Sequence, residues 1–305
     1  MKKIEPSRVR ETKGRGENGV SVVVPVFNEE LSIVTTLQAI EECLKSVEIP
    51  VELIIVNDGS TDSTSKILYD LRHRFRNPVI IEHEENLGYG AALKTGISAS
   101  NFDKVLITDA DKTYPLQEIP QLVNLSNDFD MVVGSRVGAE VHKSVFRRPA
   151  KFILTKLAEF LSNRRIPDLN SGFRVFTKEI AQNWLHVLPD GFSFTSTLTI
   201  IALHEGYRTM YLPVKYFKRE GKSKIRPLRD SLNFLQLILR AILYVNPLRI
   251  FIPASLFFFA LSLSLFTIRV VFDRAFLVTI IISFICGFEL LVVGMLADLI
   301  DKRLR

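Results

Sequence analysis

The chain has 305 residues, 47% of them hydrophobic, with 39 Lys and Arg against 33 Asp and Glu and a formal net charge of +6. A mean hydropathy of +0.20 is too apolar for a disordered chain, while 24% charged residues are too many for a polytopic membrane protein throughout. Two cysteines, Cys43 and Cys286, make no disulfide framework, and a pI near 9.3 points to an anionic partner without naming it.

Residues 1–19 lack an apolar stretch and are expected to form a flexible basic tail, not a signal peptide. From residue 20 onward, strand and helix patterns alternate. Val20–Pro25 is an apolar, β-branched run, Glu30–Ser46 has helical periodicity, and Val51–Asn57 reads as a second strand. Ser60–Ser63 supplies capping residues to a following helix. Val79–Glu82, Lys104–Thr108 and Met131–Gly134 read as further strands, and Tyr89–Ala99 as a helix. Near-continuous apolar strands separated by helices predict an α/β domain with a mostly parallel, Rossmann-like sheet covered on both faces. In such a sheet the ligand lies beyond the carboxyl ends of the strands.

The C-terminal part is different. In Leu228–Tyr244 an apolar run is interrupted at helical spacing by Arg229, Asp230, Asn233, Gln236 and Arg240, as expected for one or two helices lying at a membrane interface. Of the 59 residues from 247 to 305, 39 are apolar. Ile250–Ile268 carries no charge and Ala275–Ala297 carries only Glu289; each is long enough to cross a hydrocarbon core of ~30 Å. The connector Arg269–Arg274 leaves room only for a tight hairpin. Cations flank both outer ends (Lys222, Lys224, Arg226, Arg229, Arg240 and Arg249 before, Lys302, Arg303 and Arg305 after), which predicts a soluble domain on the cytoplasmic side. The expected organisation is a tail (1–19), a soluble domain (20–226), interfacial helices (227–246) and a transmembrane hairpin (247–305), with spans at about 250–268 and 275–297. Glu289, an ionisable group inside a span, calls for a partner or a polar cavity and favours oligomerisation.

The predicted strand ends carry the chemistry. The first ends in Pro25-Val-Phe-Asn-Glu29, the second in Asn57-Asp-Gly-Ser-Thr-Asp62, the fourth in Asp109-Ala-Asp111. Glu29, Asp58, Asp109 and Asp111 thus gather at one edge, where they repel one another unless a cation or hydrogen-bond donors compensate them. Asp-X-Asp suits a hard divalent cation shared with substrate phosphates. No P-loop is present, and no Gly-X-Gly-X-X-Gly follows the first strand. Asn86-Leu-Gly-Tyr-Gly90 is either a close backbone approach to a ligand or a plain helix start. The five histidines show no metal-ligand spacing and read as structural or surface residues. No interleaving of basic and aromatic residues supports a nucleic-acid partner.

Seven segments in order are VVVPVFNEE (22–30), VNDGSTDST (56–64), ENLGYGAALKTG (85–96), TDADKTYP (108–115), VVGSR (132–136), DLNSGFRVF (168–176) and REGKSKI (219–225). With them the sequence resembles family 2 glycosyltransferases of the GT-A fold, and among these the polyisoprenyl-phosphate sugar transferases of the dolichyl-phosphate mannose synthase type that carry a transmembrane hairpin. The Gln-X-X-Arg-Trp motif of processive synthases is missing, since Trp184 follows Gln182 at the wrong spacing.

The resemblance implies inverting transfer from a GDP- or UDP-linked sugar to an undecaprenyl or dolichyl phosphate at the cytoplasmic (inner) membrane, with Mg²⁺ or Mn²⁺, by a homo-oligomer for which a tetramer is one form. It implies that Pro25, Phe27, Glu29, Val56, Asp58, Asp109, Ala110, Asp111, Arg136, Arg219 and Lys224 bind the nucleotide sugar. Asp109 and Asp111 are the expected metal ligands; Asp111, Asp168 and Arg219 are the expected catalytic group. Arg136, Arg147, Arg148 and Arg174 are expected on the acceptor phosphate, where arginine grips in bidentate fashion. A phosphate monoester with a second pKa of about 6 is already ionised at neutral pH. Asp168 is therefore open between three roles: base, acceptor orienter, or holder of a basic residue. A hydroxyl acceptor on a glycan or protein, or a non-catalytic membrane scaffold, are the competing readings.

Overall fold

The computed structural model describes residues 17–72, 78–137, 155–156, 159, 164–217, 247–272 and 277–304. The described residues form two compact units. One lies within Met1–Lys143, Pro167–Leu198 and Tyr207–Lys224; the other lies within Ser144–Ile166, Thr199–Gly206 and Ile225–Arg305. The expected basic tail, except for residues 17–19, and the expected interfacial helices lie outside the described residues.

The first unit is a seven-stranded sheet. In chain order its elements are β1 (Glu17–Val26), α1 (Ile33–Leu44), β2 (Val51–Asn57), α2 (Thr64–Leu71), β3 (Val79–Glu82), α3 (Tyr89–Ala99), β4 (Phe102–Ile107), α4 (Ile119–Leu125), β5 (Met131–Val137), β6 (Arg174–Thr177) and β7 (Thr209–Lys215). The spatial order is β3-β2-β1-β4-β6-β5-β7. All pairings are parallel except those of β6, which runs antiparallel to both β4 and β5. The sequence reading places β2, β3 and α3 at their observed bounds. It starts β1 three residues late, stops β5 three residues early, and does not contain β6 or β7.

Strand β1 lies inside the sheet between β2 and β4, and Val20, Val22, Val23 and Val24 are fully buried in it. β-Branched side chains suit a strand covered on both faces. Helix α1 covers one face through Ile33, Thr36, Leu37 and Ile40, a helical stripe. Helix α3 lies against β1 and β2, and Gly96 makes that approach possible. A Cβ placed there would stand 2.3 Å from Val23 Cγ1.

The chain runs from β1 outward to β2 and β3, then returns to β4 on the other side of β1. This reversal opens a crevice between β1 and β4, where open α/β sheets bind ligands. The register widens it: β1 stays paired to β2 as far as Val26↔Asn57 but leaves β4 after Val23↔Ile107. Val23 O accepts from Thr108 N and Val26 O from Asp58 N. Alternation along the strand then turns the Pro25 nitrogen toward β4, past the last pair, so its missing N–H breaks no ladder bond.

The second unit holds two long helices, Leu248–Phe272 and Leu277–Leu304. Their apolar stretches Leu248–Val271 and Leu277–Ile300 are 24 residues each, with mean hydropathy 2.1 and 2.5. At 1.5 Å per residue, each is about 36 Å long and could cross a bilayer. They pack antiparallel along small residues. Ser255 Oγ donates to Gly287 O (2.7 Å) and Ser262 Oγ to Ile280 O (3.0 Å). Phe251 lies against Gly294 and Phe259 against Gly287.

The Gly96 contact yields a test. Gly96→Ala improves helix propensity by about 1 kcal/mol but forces its methyl into Val23. Overpacking of a tight core costs about 1–3 kcal/mol, so the thermal midpoint of the detergent-solubilised protein is expected to fall. A raised midpoint would show that α3 does not sit this close to β1.

Candidate active site

The residue at the end of β1 bends sharply. Asn28 has φ 52°, a left-handed conformation that asparagine tolerates better than most residues. The bend ties β1 to β2: Asn28 N donates to Ser60 Oγ (3.0 Å), and Asn28 Oδ1 accepts from Thr61 N (2.7 Å). Glu29 N donates to Thr64 Oγ1 (3.0 Å), and Ser32 Oγ donates to Glu29 Oε2 (3.0 Å). Pro25 is buried and Phe27 is half-buried.

At the end of β2, Asp58 is 2% exposed. Its Oδ1 accepts from Leu87 N (3.0 Å) and lies 2.8 Å from His83 Nδ1; its Oδ2 accepts from Gly88 N (2.9 Å). A buried carboxylate has to be satisfied, and here the loop between β3 and α3 satisfies it. Asp58 holds the loop that borders the crevice, and Val56 is fully buried in β2, under α3.

At the end of β4, Asp109-Ala-Asp111 turns out of the sheet, and Lys112 has φ 59°. Thr36 Oγ1 donates to Ala110 O (3.0 Å), so helix α1 fixes the turn. Asp111 is 6% exposed and accepts at Oδ1 from Thr113 N (3.1 Å) and Thr113 Oγ1 (2.6 Å). Asp109 is half-buried and accepts at Oδ1 from Tyr89 OH (3.0 Å). Burial, then the charge of Asp109, push the Tyr89 hydroxyl well above its ordinary pKa, so it stays a donor.

This donor set fits a divalent cation of the Mg²⁺ or Mn²⁺ kind. Both side chains are carboxylates, and such ions are held by one or two carboxylates completed by substrate phosphates. Among the described residues no group of three or more His, Cys, Asp or Glu could hold a metal by itself.

A second cluster lies around Arg136 and Asp168. Arg136 Nε donates to Asp168 Oδ2 (2.7 Å) and Nη2 to Oδ1 (2.8 Å), a two-point pair, and Arg136 N adds a third bond (3.1 Å). Asp168 is 3% exposed. The guanidinium stands 5.4 Å from the Tyr216 ring, Tyr216 meets Tyr114 edge-on, and Tyr114 stacks on Phe173. Burial alone would lower the Arg136 pKa, but Tyr114 and Asp168 outweigh it and hold the side chain charged. Gly172 N donates to Tyr114 OH (2.8 Å), and a Cβ on Gly172 would stand 2.9 Å from Asp109 Oδ1. The two clusters therefore adjoin.

Arg174 requires correction. It is fully buried, with Nε donating to Ser171 O (2.9 Å) and Nη1 to Thr195 O (3.0 Å). It braces the segment that carries Asp168 and is not open to an acceptor phosphate. Arg147, Arg148, Arg219 and Lys224 lie outside the described residues. Sequence reasoning missed Tyr89, Tyr114, Tyr216 and His83. Tyr89 and Tyr114 carried a signal, each inside one of the quoted segments (85–96 and 108–115).

Comparison with known proteins places the chain in a family. Residues 21–185 match the family described as Glycosyl transferase family 2, and residues 246–302 match the GtrB C-terminal hairpin. An undecaprenyl-phosphate 4-deoxy-4-formamido-L-arabinose transferase of Proteus mirabilis is 29% identical over 93% of this chain and 89% of its own length. A dolichyl-phosphate hexose transferase of Haloferax volcanii is 30% identical over 68% of this chain and 87% of its own length. The low-salt glycan biosynthesis hexosyltransferase Agl6 of the same organism is 28% identical, and the chain spans 53% of its length. Glucosyl-3-phosphoglycerate synthase of Mycobacterium tuberculosis, crystallised with Mn²⁺, UDP and glucosyl-3-phosphoglycerate, shares the GT-A fold at TM-score 0.55 and 22% identity, over 74% of this chain and 79% of that one. With more than half of its length matched to one family, the chain belongs to glycosyltransferase family 2.

Proposed function

We propose that the protein is a membrane-bound inverting glycosyltransferase that moves a sugar from a GDP- or UDP-linked donor to a polyisoprenyl phosphate. The observation that carries the choice of acceptor is the two-point pair between Arg136 and Asp168. A hydroxyl acceptor needs a base to take its proton. Asp168 occupies the place of that base, but its carboxylate is committed to a guanidinium. An acceptor phosphate is ionised before it binds and needs no base.

In this reading a phosphate oxygen of the acceptor attacks the anomeric carbon as the bond to the nucleoside diphosphate breaks. Asp109 and Asp111 would hold a divalent cation, which when bound supplies positive charge to the departing diphosphate. Asp168 fixes Arg136, so that the guanidinium faces anionic groups without the freedom to turn away. The Asp58 carboxylate keeps the bordering loop in place beside the nucleotide. Arg147, Arg148, Arg219 and Lys224 remain proposed phosphate ligands on the resemblance alone. The GtrB-type hairpin and the apolar helices support membrane attachment, and the flanking cations support a catalytic domain facing the cytoplasm at the inner membrane. The exposed Glu289 in the second span favours a homo-oligomer.

Three outcomes test this. Transfer of labelled sugar from a panel of GDP- and UDP-sugars to polyprenyl phosphate is expected with Mn²⁺ and not with EDTA. Asp111→Ala should lower it by about 10²-fold or more with an unchanged melting temperature, and an active Asp111→Ala would overturn the cation assignment. Asp168→Ala should lower stability by about 3–5 kcal/mol, because it strands a mostly buried guanidinium. Its residual activity should keep the pH dependence of the parent. Loss of the acidic limb of the pH profile with stability intact would instead identify Asp168 as a base and favour a hydroxyl acceptor.

A further inference from the structure

The segment Leu87-Gly88-Tyr89 touches both acidic strand ends. Leu87 N and Gly88 N donate to the two oxygens of Asp58 at 3.0 and 2.9 Å, and the next residue, Tyr89, donates its hydroxyl to Asp109 Oδ1 at 3.0 Å. The backbone leaves little play in this arrangement. Gly88 has φ 108°, and a Cβ there would stand 2.5 Å from Asp190 O. Gly90 N and Ala91 N both donate to Asp190 O, and Lys94 Nζ pairs with Asp190 Oδ1 at 2.7 Å. Phe192 stacks on the Tyr89 ring, with centroids 5.7 Å apart and planes inclined by 16°. From the opposite side Gly172 closes on the same pair: its Cβ, were there one, would be 2.8 Å from Tyr89 OH and 2.9 Å from Asp109 Oδ1. Tyr89 is thus held by the 189–192 segment, aimed at one oxygen of Asp109, and backed by a residue with no side chain.

We infer that Tyr89 is a positioning residue for Asp109, orienting its carboxylate for the divalent cation, and that the Leu87–Tyr89 segment couples cation binding to nucleotide binding. This rests on the proposed reading of the crevice as a nucleotide-sugar site with a cation at Asp109 and Asp111. A carboxylate free to rotate must be ordered each time a cation binds, whereas a carboxylate fixed by a neutral donor is ordered beforehand. A hydroxyl donor orients the oxygen without competing with the cation as a charged side chain would. Because the backbone of the same segment is anchored on Asp58, a nucleotide that settles this loop also settles Tyr89.

The test is calorimetric binding of UDP and of GDP to the detergent-solubilised full chain, in Mn²⁺ and in EDTA. The quantity read is the factor by which Mn²⁺ tightens the nucleotide. Tyr89→Phe keeps the ring and its stack on Phe192 and removes one oxygen. It should cut that factor about tenfold, the scale of a hydrogen bond to a charged group, and leave affinity in EDTA within about twofold of the parent. Gly172→Ala, which pushes on the same pair from the other side, should also reduce the factor. In Asp109→Asn, adding Tyr89→Phe should cost nothing further, since the two residues act as one unit. An unchanged Mn²⁺ factor in Tyr89→Phe, or equal losses with and without Mn²⁺, would overturn the positioning role while leaving the cation site standing. If neither nucleotide is tightened by Mn²⁺ in the parent, the reading of the crevice falls and this inference falls with it.

Discussion

Acidic side chains gathered at the ends of neighbouring strands repel one another, and the first unit is organised around relieving that repulsion. Each acid has its own donors. Asp58 takes two backbone N–H groups and faces His83, Asp111 takes the N–H and hydroxyl of Thr113, Asp109 takes the Tyr89 hydroxyl, and Asp168 takes Arg136. Most of these donors are neutral. Neutral donors orient an anion and keep its charge available for a cation, whereas a guanidinium consumes it. Asp168 is gripped at two points by the Arg136 guanidinium, whereas the donors named for Asp58, Asp109 and Asp111 are backbone N–H groups, hydroxyls and an imidazole.

That division bears on how an anionic acceptor approaches an anionic donor. A site holding a diphosphate and several carboxylates repels a second phosphate unless cations are fixed nearby. Arg136 is held charged by its surroundings, and its bidentate bond to Asp168 removes the rotational freedom that an arginine usually loses on binding. Arg174 shows the contrasting use of the same residue type. Its guanidinium is fully buried and spent on main-chain carbonyls, which secures Ser171 and with it the turn between Asp168 and Gly172.

The sequence displays the parallel half of the sheet clearly, because strands buried on both faces write themselves as apolar runs such as Leu53–Val56 within β2. The antiparallel half is harder to read. Strand β6 is four residues long and opens on a buried arginine, and β7 contains Pro213 and is only partly buried, so neither shows a strand period. The acids are legible because a carboxylate at the end of an apolar strand is conspicuous. Their partners are not. Asp168 and Arg136 are 32 residues apart, Asp58 and Gly88 30 apart, and only the folded sheet brings them into contact. The three tyrosines are hidden for the same reason: an aromatic residue in sequence is core by default, and only its hydroxyl's destination says otherwise.

The hairpin obeys a different balance. Between two apolar helices in an apolar medium, burial of hydrocarbon offers no drive to associate, and what remains is close packing and hydrogen bonding. The seam is built accordingly: Ser255 and Ser262 each donate across it to a main-chain carbonyl, and Gly287 and Gly294 admit the rings of Phe259 and Phe251. Glu289 lies outside this pattern. It is exposed midway along Leu277–Ile300, on a face shared with the exposed Ile285, Val293 and Leu296. An acidic side chain at the centre of a bilayer costs about 3 kcal/mol on insertion scales, and lipid tails supply no hydrogen-bond donor to offset it. This face therefore presents an exposed carboxyl group among apolar side chains.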